Sequence, residues 1–309
     1  MPLSWLFRTM VICRRAYYRL RNSARTAAEV FVVVVGNITV GGTGKTPFVI
    51  WLAQQCKDRG LRVGIVTRGY KRENEQQLVE VQPHSLPSEV GDEALLLALK
   101  TTCPVIAAAD RKLAVEMLIE KYKIDLVLCD DGLQHYNLAR DIEIAVVDGE
   151  RKFGNGRCLP AGPLREPITR LSACDLVVSN GRNDAAKYYF EIEYNDVVSL
   201  TLDTVRKPLA DFKDFTVHAV AGIGNPQRFF NLLKHVGVHI IEHSFPDHHA
   251  YQQADLEFSS NDPIIMTEKD AVKCKNIINK NIWYLPIVLS SNIVLDKKIE
   301  TILKGVPHG

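Results

Sequence analysis

The sequence holds no pair of cysteines in CxxC spacing, although it carries seven cysteines, an odd number. Scattered thiols suggest neither a disulfide framework nor a zinc ribbon. Charge of one sign is not in excess either: 38 basic against 36 acidic residues leave +2. That balance gives no footing for a nucleic-acid partner. No apolar run reaches the roughly 20 residues of a membrane-spanning helix. What is present is an ordinary globular composition, 46% hydrophobic and 24% charged over 309 residues. That length suffices for one large or two modest domains with real cores.

The strongest local signal is residues 30–48, VFVVVVGNITVGGTGKTPF. An apolar run of strand type, Val30 to Val35, feeds a glycine-rich turn ending in Gly44-Lys45-Thr46. A helix-forming stretch, Phe48 to Lys57, follows. Strand, glycine turn, Lys-Thr and helix is the order a phosphate-binding loop requires. The glycines let backbone N–H groups converge on phosphate oxygens, and the positive end of the helix points at the same anion. The pattern predicts that Thr39, Val40, Gly41, Gly42, Thr43, Gly44, Lys45 and Thr46 bind a nucleoside triphosphate. Lys45 reaches the terminal phosphates and the Thr46 hydroxyl holds Mg²⁺. One position departs from the usual pattern, with Thr39 where the first glycine stands. Scattered thiols together with a nucleotide site at 39–46 favour the cytoplasm.

Residues 1–28 form a basic segment with no acidic residue before Glu29. Leu3, Leu6, Phe7, Met10, Cys13, Tyr17 and Leu20 recur at helical spacing, with Arg8, Arg15, Arg19 and Arg25 mostly opposite. Arginines interrupt the apolar part, so it is not a secretory signal. Two readings fit: an amphipathic helix on an anionic membrane surface, or a helix packed on its own domain with a solvated basic face. Beyond the glycine turn, apolar strand patterns alternate with helices as far as DLVVSNG (175–181), which specifies a mostly parallel sheet covered on both faces. Residues 71–88 are polar and proline-bearing, hence irregular structure or a short excursion, and 194–214 read as a linker. A second, smaller α/β set follows, with NIWYLPIVL as its last strand. The expected division is a helix over 1–28, a nucleotide-binding core over 29–200 and a smaller C-terminal domain over 201–309.

Carboxylates outside the loop carry the next signal. Asp92 and Glu93 open a helix, where such residues are ordinarily caps. Asp130-Asp131 end a buried strand, on the edge where ligands bind in open α/β sheets and where a second Mg²⁺-organising Asp belongs. The Gly- and Pro-rich loop before Pro167 carries Arg157, Arg165 and Glu166. A kinase needs a group that takes or orients the acceptor's proton, and spacing alone leaves Asp92, Asp130, Asp131, Glu166, Asp247 and His248 as candidates. His239-Ile-Ile-Glu242-His243 matches an inverted zinc-protease pattern, but its β-branched alternation reads as a strand, which cannot place both histidines on one helical face.

Taken together, the motifs resemble the tetraacyldisaccharide 4′-kinases of lipid A biosynthesis. The likeness runs through VVGNITVGGTGKTP, RGY at 68–70, VGDEALLLA, CDDGLQH, LPAGPLREP, SNG at 179–181, AGIGNPQRFF, FPDHH and TEKDAVK. It covers most of the chain, and it accounts for Thr39, since that family commonly has Ser or Thr there. Departures are Ala94 in place of a frequent Pro and Lys71 in place of a frequent Gly. The resemblance implies a P-loop NTPase core and transfer of the ATP γ-phosphate to the 4′-hydroxyl of a tetraacylated glucosamine disaccharide 1-phosphate. It implies Asp92 as catalytic base paired with His248, and Mg²⁺ at Asp130 and Asp131 with Glu166 and Gln134 close by. Tyr70, Arg111, His135, Arg165 and Asn180 become substrate-site candidates. It also implies work at the cytoplasmic face of the bacterial inner membrane, held there by the N-terminal helix, with no protein partner expected. The alternative is a membrane-associated P-loop ATPase switch acting on a protein partner. Such switches carry a lysine where Val40 stands and have no use for an Asp–His pair.

Overall fold

The computed structural model describes residues 2–21, 30–183, 186–202, 204–275, 277 and 281–307. Helix α1 (Pro2–Arg21) precedes β1 (Phe31–Gly36) and α2 (Lys45–Lys57). The helical period anticipated over 1–28 is seen to Arg21, while Arg25 lies outside the described residues. β1 is buried from Val32 onward because both of its faces are covered. Val33 and Val35 share one core with Phe48, Val49 and Leu52 of α2, while Val32 and Val34 point into the opposite core. A run of valines without alternation is what such a doubly covered strand requires.

The chain continues through β2 (Val63–Thr67), β3 (Val79–Val81), α3 (Pro87–Val90), α4 (Asp92–Thr101), β4 (Val105–Ala107) and α5 (Arg111–Lys121). Next come β5 (Leu126–Asp130), β6 (Ile142–Asp148), β7 (Leu176–Asn180) and β8 (Tyr189–Glu193). A second sheet follows with β9 (Asp196–Ser199), β10 (Arg206–Pro208), β11 (Thr216–Ala221), α6 (Pro226–Val236), β12 (His239–Ser244), β13 (Ile264–Thr267), α7 (Glu268–Ala271) and β14 (Ile282–Leu285). The last elements are β15 (Val288–Ser291) and α8 (Ile293–Leu303).

The first sheet runs β15-β8-β7-β6-β1-β5-β2-β4-β3, parallel except at its edge strands β15 and β3. The second runs β10-β9-β14-β13-β11-β12, with β11 to β14 parallel. This is the anticipated α/β class. β1 sits between β5 and β6, so the crossovers diverge there and leave a crevice at the C-terminal ends of β1 and β5.

Two local expectations are corrected. NIWYLPIVL is not one strand: Pro286 lacks an N–H and breaks the ladder, and β14 stays in the second sheet while β15 returns to the first. α8 follows it there, burying Leu295, Ile299 and Leu303 in the core of the first sheet. The stretch expected as a linker holds β9 and β10, because Val197 and Val198 are buried among apolar neighbours despite their polar surroundings in sequence. β12 is a strand, as its alternation requires, and His243 meets His218 at 2.9 Å while Glu242 pairs with Lys234 at 2.5 Å.

Candidate active site

The turn between β1 and α2 is held in shape both from within and from outside. Asn37 donates from Nδ2 to Thr43 Oγ1 at 3.1 Å, and Asn180, at the end of β7, donates to the Thr43 carbonyl at 3.2 Å. Val40 N–H bonds to the Pro163 carbonyl at 2.8 Å, and Arg165 N–H to the Ile38 carbonyl at 2.7 Å. Arg151 donates to the Gly42 carbonyl. Thr39, buried, pairs with Leu164. Gly44, the N-cap of α2, has φ 89, and a Cβ there would stand 2.5 Å from Asn180 Nδ2. Only glycine fits both demands. With carbonyls engaged outward, the N–H groups at the start of α2 are left for an anion.

Lys45 and Thr46 point toward the end of β5. Lys45 Nζ lies 3.4 Å from Asp131, and Thr46 Oγ1 donates to Asp130 Oδ2 at 3.4 Å. Asp131 takes a left-handed turn, φ 50, and meets Arg165 Nη1 at 3.2 and 3.1 Å. The two neighbouring carboxyls titrate far apart. Burial, with the charge of Glu93 added, pushes Asp130 up to about 7. Burial pushes Asp131 the same way, but Lys45 and Arg165 outweigh it and hold that carboxyl at about 2.

These residues fit a divalent cation. Asp130 Oδ1 is buried with no hydrogen-bond partner among the described residues. A hydroxyl and a carboxylate with one orphaned oxygen on one edge are the donor chemistry Mg²⁺ takes, completed by water and phosphate oxygens. No group of three or more His, Cys, Asp or Glu side chains suited to a metal occurs among the described residues. Mg²⁺ in nucleotide sites needs only one or two carboxylates.

Glu166 and Gln134 stand one step away. Glu166, buried, accepts from Gln134 Nε2 at 2.7 Å and from Tyr136 at 2.6 Å, and faces Arg170 at 3.4 Å. Gln134 Nε2 also donates to the Asn37 carbonyl at 3.0 Å. The two therefore reach the phosphate loop through Asn37 rather than through Thr46 or Asp130. Arg111 is fully buried, donates to the Ala108 carbonyl, and its charge acts on both Asp130 and His135. Burial and that charge push the His135 imidazole down to about 4, so it is neutral at pH 7.

A second constellation lies at the N-terminus of α4, which packs beside α2. Gly91, at φ 89, sets the entry; a Cβ there would meet Gly69 backbone at 3.0 Å. Asp92 is the first helical residue, and burial would raise its carboxyl. A hydrogen bond from His248 and the charge of Lys269 outweigh burial and hold it below the usual carboxylate range. His248 Nδ1 is 2.9 Å from each Asp92 oxygen. His248 comes from the loop after β12 in the second sheet and sits at φ 67, a left-handed conformation uncommon for a side chain. Such strain clusters at functional sites. The Tyr70 ring meets His248 edge-on at 5.4 Å, so Tyr70 belongs to this pair rather than to the phosphate loop.

The sequence left several of these residues without a role. Arg151 and Tyr136 act through hydrogen bonds to distant groups, and Asn37 through one across its own loop, none of which leaves a periodic trace. Lys269 carried its signal only inside the TEKDAVK motif.

Comparison with known proteins bears on this arrangement. The family model described as LpxK: Tetraacyldisaccharide-1-P 4'-kinase matches residues 1–304. A tetraacyldisaccharide 4'-kinase of Methylobacillus flagellatus is 47% identical over 96% of this chain and 89% of its own length. One from Nitrosococcus oceani is 46% identical over 94% of this chain and 85% of its own. The crystal structure of LpxK from Aquifex aeolicus in complex with ATP superposes with a TM-score of 0.81 at 29% identity, covering 98% of this chain and 97% of that one.

Proposed function

The chain belongs to the tetraacyldisaccharide-1-P 4'-kinase family, and on that premise we propose that it transfers the γ-phosphate of ATP to the 4′-hydroxyl of a tetraacyldisaccharide 1-phosphate, giving lipid IVA. The observation that carries the reading is the Asp92–His248 pair, set by two different sheets beside a phosphate loop. A switch that only hydrolyses ATP has no use for such a pair.

The geometry supports the following roles. Residues Thr39 to Thr46 cradle the triphosphate, and Lys45 steadies the γ-phosphoryl group. Bound Mg²⁺, held by Thr46 and Asp130, would neutralise phosphate charge. Asp131 sets Lys45 through its ion pair, and Glu166 and Gln134 hold the loop through Asn37. Asp92 takes the proton of the acceptor hydroxyl as that oxygen attacks phosphorus and ADP leaves. His248 orients the Asp92 carboxylate. Arg165, Arg111, His135 and Asn180 shape the same crevice, and Tyr70 covers the His248 ring.

Attachment to the cytoplasmic face of the inner membrane is part of the reading. Leu3, Trp5, Leu6 and Met10 are exposed on α1 at 66, 69, 59 and 61%. Arg8 and Arg14 are exposed beside them, which suits an anionic lipid surface. Among the described residues no helix is long and apolar enough to cross a membrane. The N-terminal helix, the first sheet with the returning β15 and α8, and the second sheet from β9 to β14 then divide the work as lipid contact, nucleotide site and completion of the cleft, so the sequence boundary at 200/201 is not the structural one.

The test is a γ-³²P-ATP transfer assay with tetraacyldisaccharide 1-phosphate in mixed micelles, wild type beside Asp92→Ala. We expect labelled lipid from wild type and a loss of roughly 10²–10⁴-fold in the variant, the range of general-base catalysis. Free phosphate without labelled lipid would overturn the reading.

A further inference from the structure

Helix α7 is a single turn, yet three successive residues reach three places. Glu268, buried, lies 2.5 Å from Lys100 at the far end of α4. Lys269 Nζ lies 2.9 Å from Glu93, 3.5 Å from Asp247 and 3.8 Å from Asp92. Asp270 accepts the Gly222 N–H at 2.9 Å, and the Gly222 carbonyl accepts the His248 N–H at 3.3 Å. Glu93 and Lys100 are two helical turns apart and share a face of α4. The Glu268-Lys269 dipeptide therefore meets charges of opposite sign at both ends of that helix.

The contacts close a ring. His248 Nδ1 faces Asp92 and His248 Nε2 faces Asp247 at 3.5 Å, while Lys269 bridges those same two carboxylates. We propose that Lys269 is the positioning residue of the Asp92–His248 pair, its ammonium group gathering Asp92, Glu93 and Asp247 and so fixing α4 of the first sheet to the His248 loop of the second. The inference rests on the kinase reading of Asp92.

Three carboxylates this close repel one another unless a cation stands among them. Lys269 is 19% exposed and Asp92 4%, so the contact is screened far less than a surface pair. Other charges near Asp92 are accounted for. Lys273, one turn on, is bound to Asp270 at 2.6 Å. Lys71 donates to the Asp247 carbonyl at 3.2 Å, and Arg68 lies over the Tyr70 ring at 5.6 Å. Asp130 lies within the field of Glu93.

The pH dependence of kcat/KM for the lipid tests this, measured for wild type, K269M and K269R, with KM for ATP and a melting curve for each. Asp92 acts only when ionised, and Lys269 favours its ionised form. Loss of that charge moves the acid limb to higher pH, by about one unit, the low end for an opposite charge at this range. On that limb K269M falls about tenfold below wild type, the factor one pH unit implies, while KM for ATP holds. K269R returns the limb to the wild-type position. A K269M limb that stays in place, whatever the rate, overturns the proposal. Should K269M fail to fold, K269Q removes the same charge while keeping a polar end among the carboxylates and moves the limb the same way; an unmoved limb overturns the proposal equally. A wild type that labels no lipid at any pH overturns the kinase reading instead.

Discussion

Asp130 and Asp131 are neighbours in sequence, and the fold turns them to opposite uses. Asp130 closes a buried strand and keeps one oxygen without a partner, so its carboxyl is pushed up to about 7. Asp131 turns outward in a left-handed conformation and is held at about 2 by Lys45 and Arg165. On the proposed mechanism one is kept for a cation and the other keeps a lysine aimed. Lys45→Ala should therefore lose a charge donor to the γ-phosphoryl group, lowering single-turnover transfer by roughly 10²-fold or more, as for other preorganised donors. A near-normal rate would contradict the loop assignment. At this scale the sequence told part of the story. The glycine turn named its own residues because their chemistry is local. Asp92 and His248 are 156 residues apart, and spacing left them among six candidates; only the family resemblance paired them. Lys269 acts across the fold on Asp92 and Glu93, and outside the TEKDAVK motif nothing in its neighbours signals it.

Among the elements, α1 separates what a periodic pattern reveals from what it hides. Its helical spacing is legible, since apolar residues recur at every turn. Which side docks is not legible. The buried contact is made by Ser4, whose hydroxyl donates to the Cys158 carbonyl at 2.7 Å, with Phe7 packed on the Ile38, Cys158 and Leu164 cluster. Tyr18 meets Tyr136 at 6.2 Å, and Arg14 lies 5.8 Å over the same ring. The stripe of Leu3, Leu6, Met10 and Leu20 is left outward, so the helix packs on its own domain by one face and leaves the other for the lipid surface proposed above. Deletion of residues 1–21 should weaken binding to anionic vesicles in a sedimentation assay and raise KM for the lipid, with KM for ATP little changed. If vesicle binding and lipid KM both hold, the helix is only a brace. Elsewhere, β15 shows why sheet membership escapes local reading. Pro286 signals a break, but no pattern in Val288–Ser291 says which sheet the strand joins.

For the whole molecule, the division of labour lies between two sheets that meet over α4. The first supplies the phosphate loop, the cation edge and Asp92; the second supplies His248 and the α7 residues that hold it. The chain crosses between them more than once, since β15 and α8 return to the first sheet after β14. Such a layout ties the cleft's two walls to one another; on the proposed mechanism the base is complete only when they are together, which would exclude water from the transfer step. The α/β class was readable from the alternation of strands and helices. The joint was not, because it depends on side chains from segments far apart. The central claim is that Asp92 and His248 act as one unit drawn from both sheets. A double-mutant cycle in the lipid transfer assay tests it most directly, with Asp92→Ala, His248→Ala and the double variant. Groups that act as a unit give non-additive losses, so the double variant should be no more than about threefold slower than Asp92→Ala alone. Losses that multiply would show two independent contributions and contradict the account.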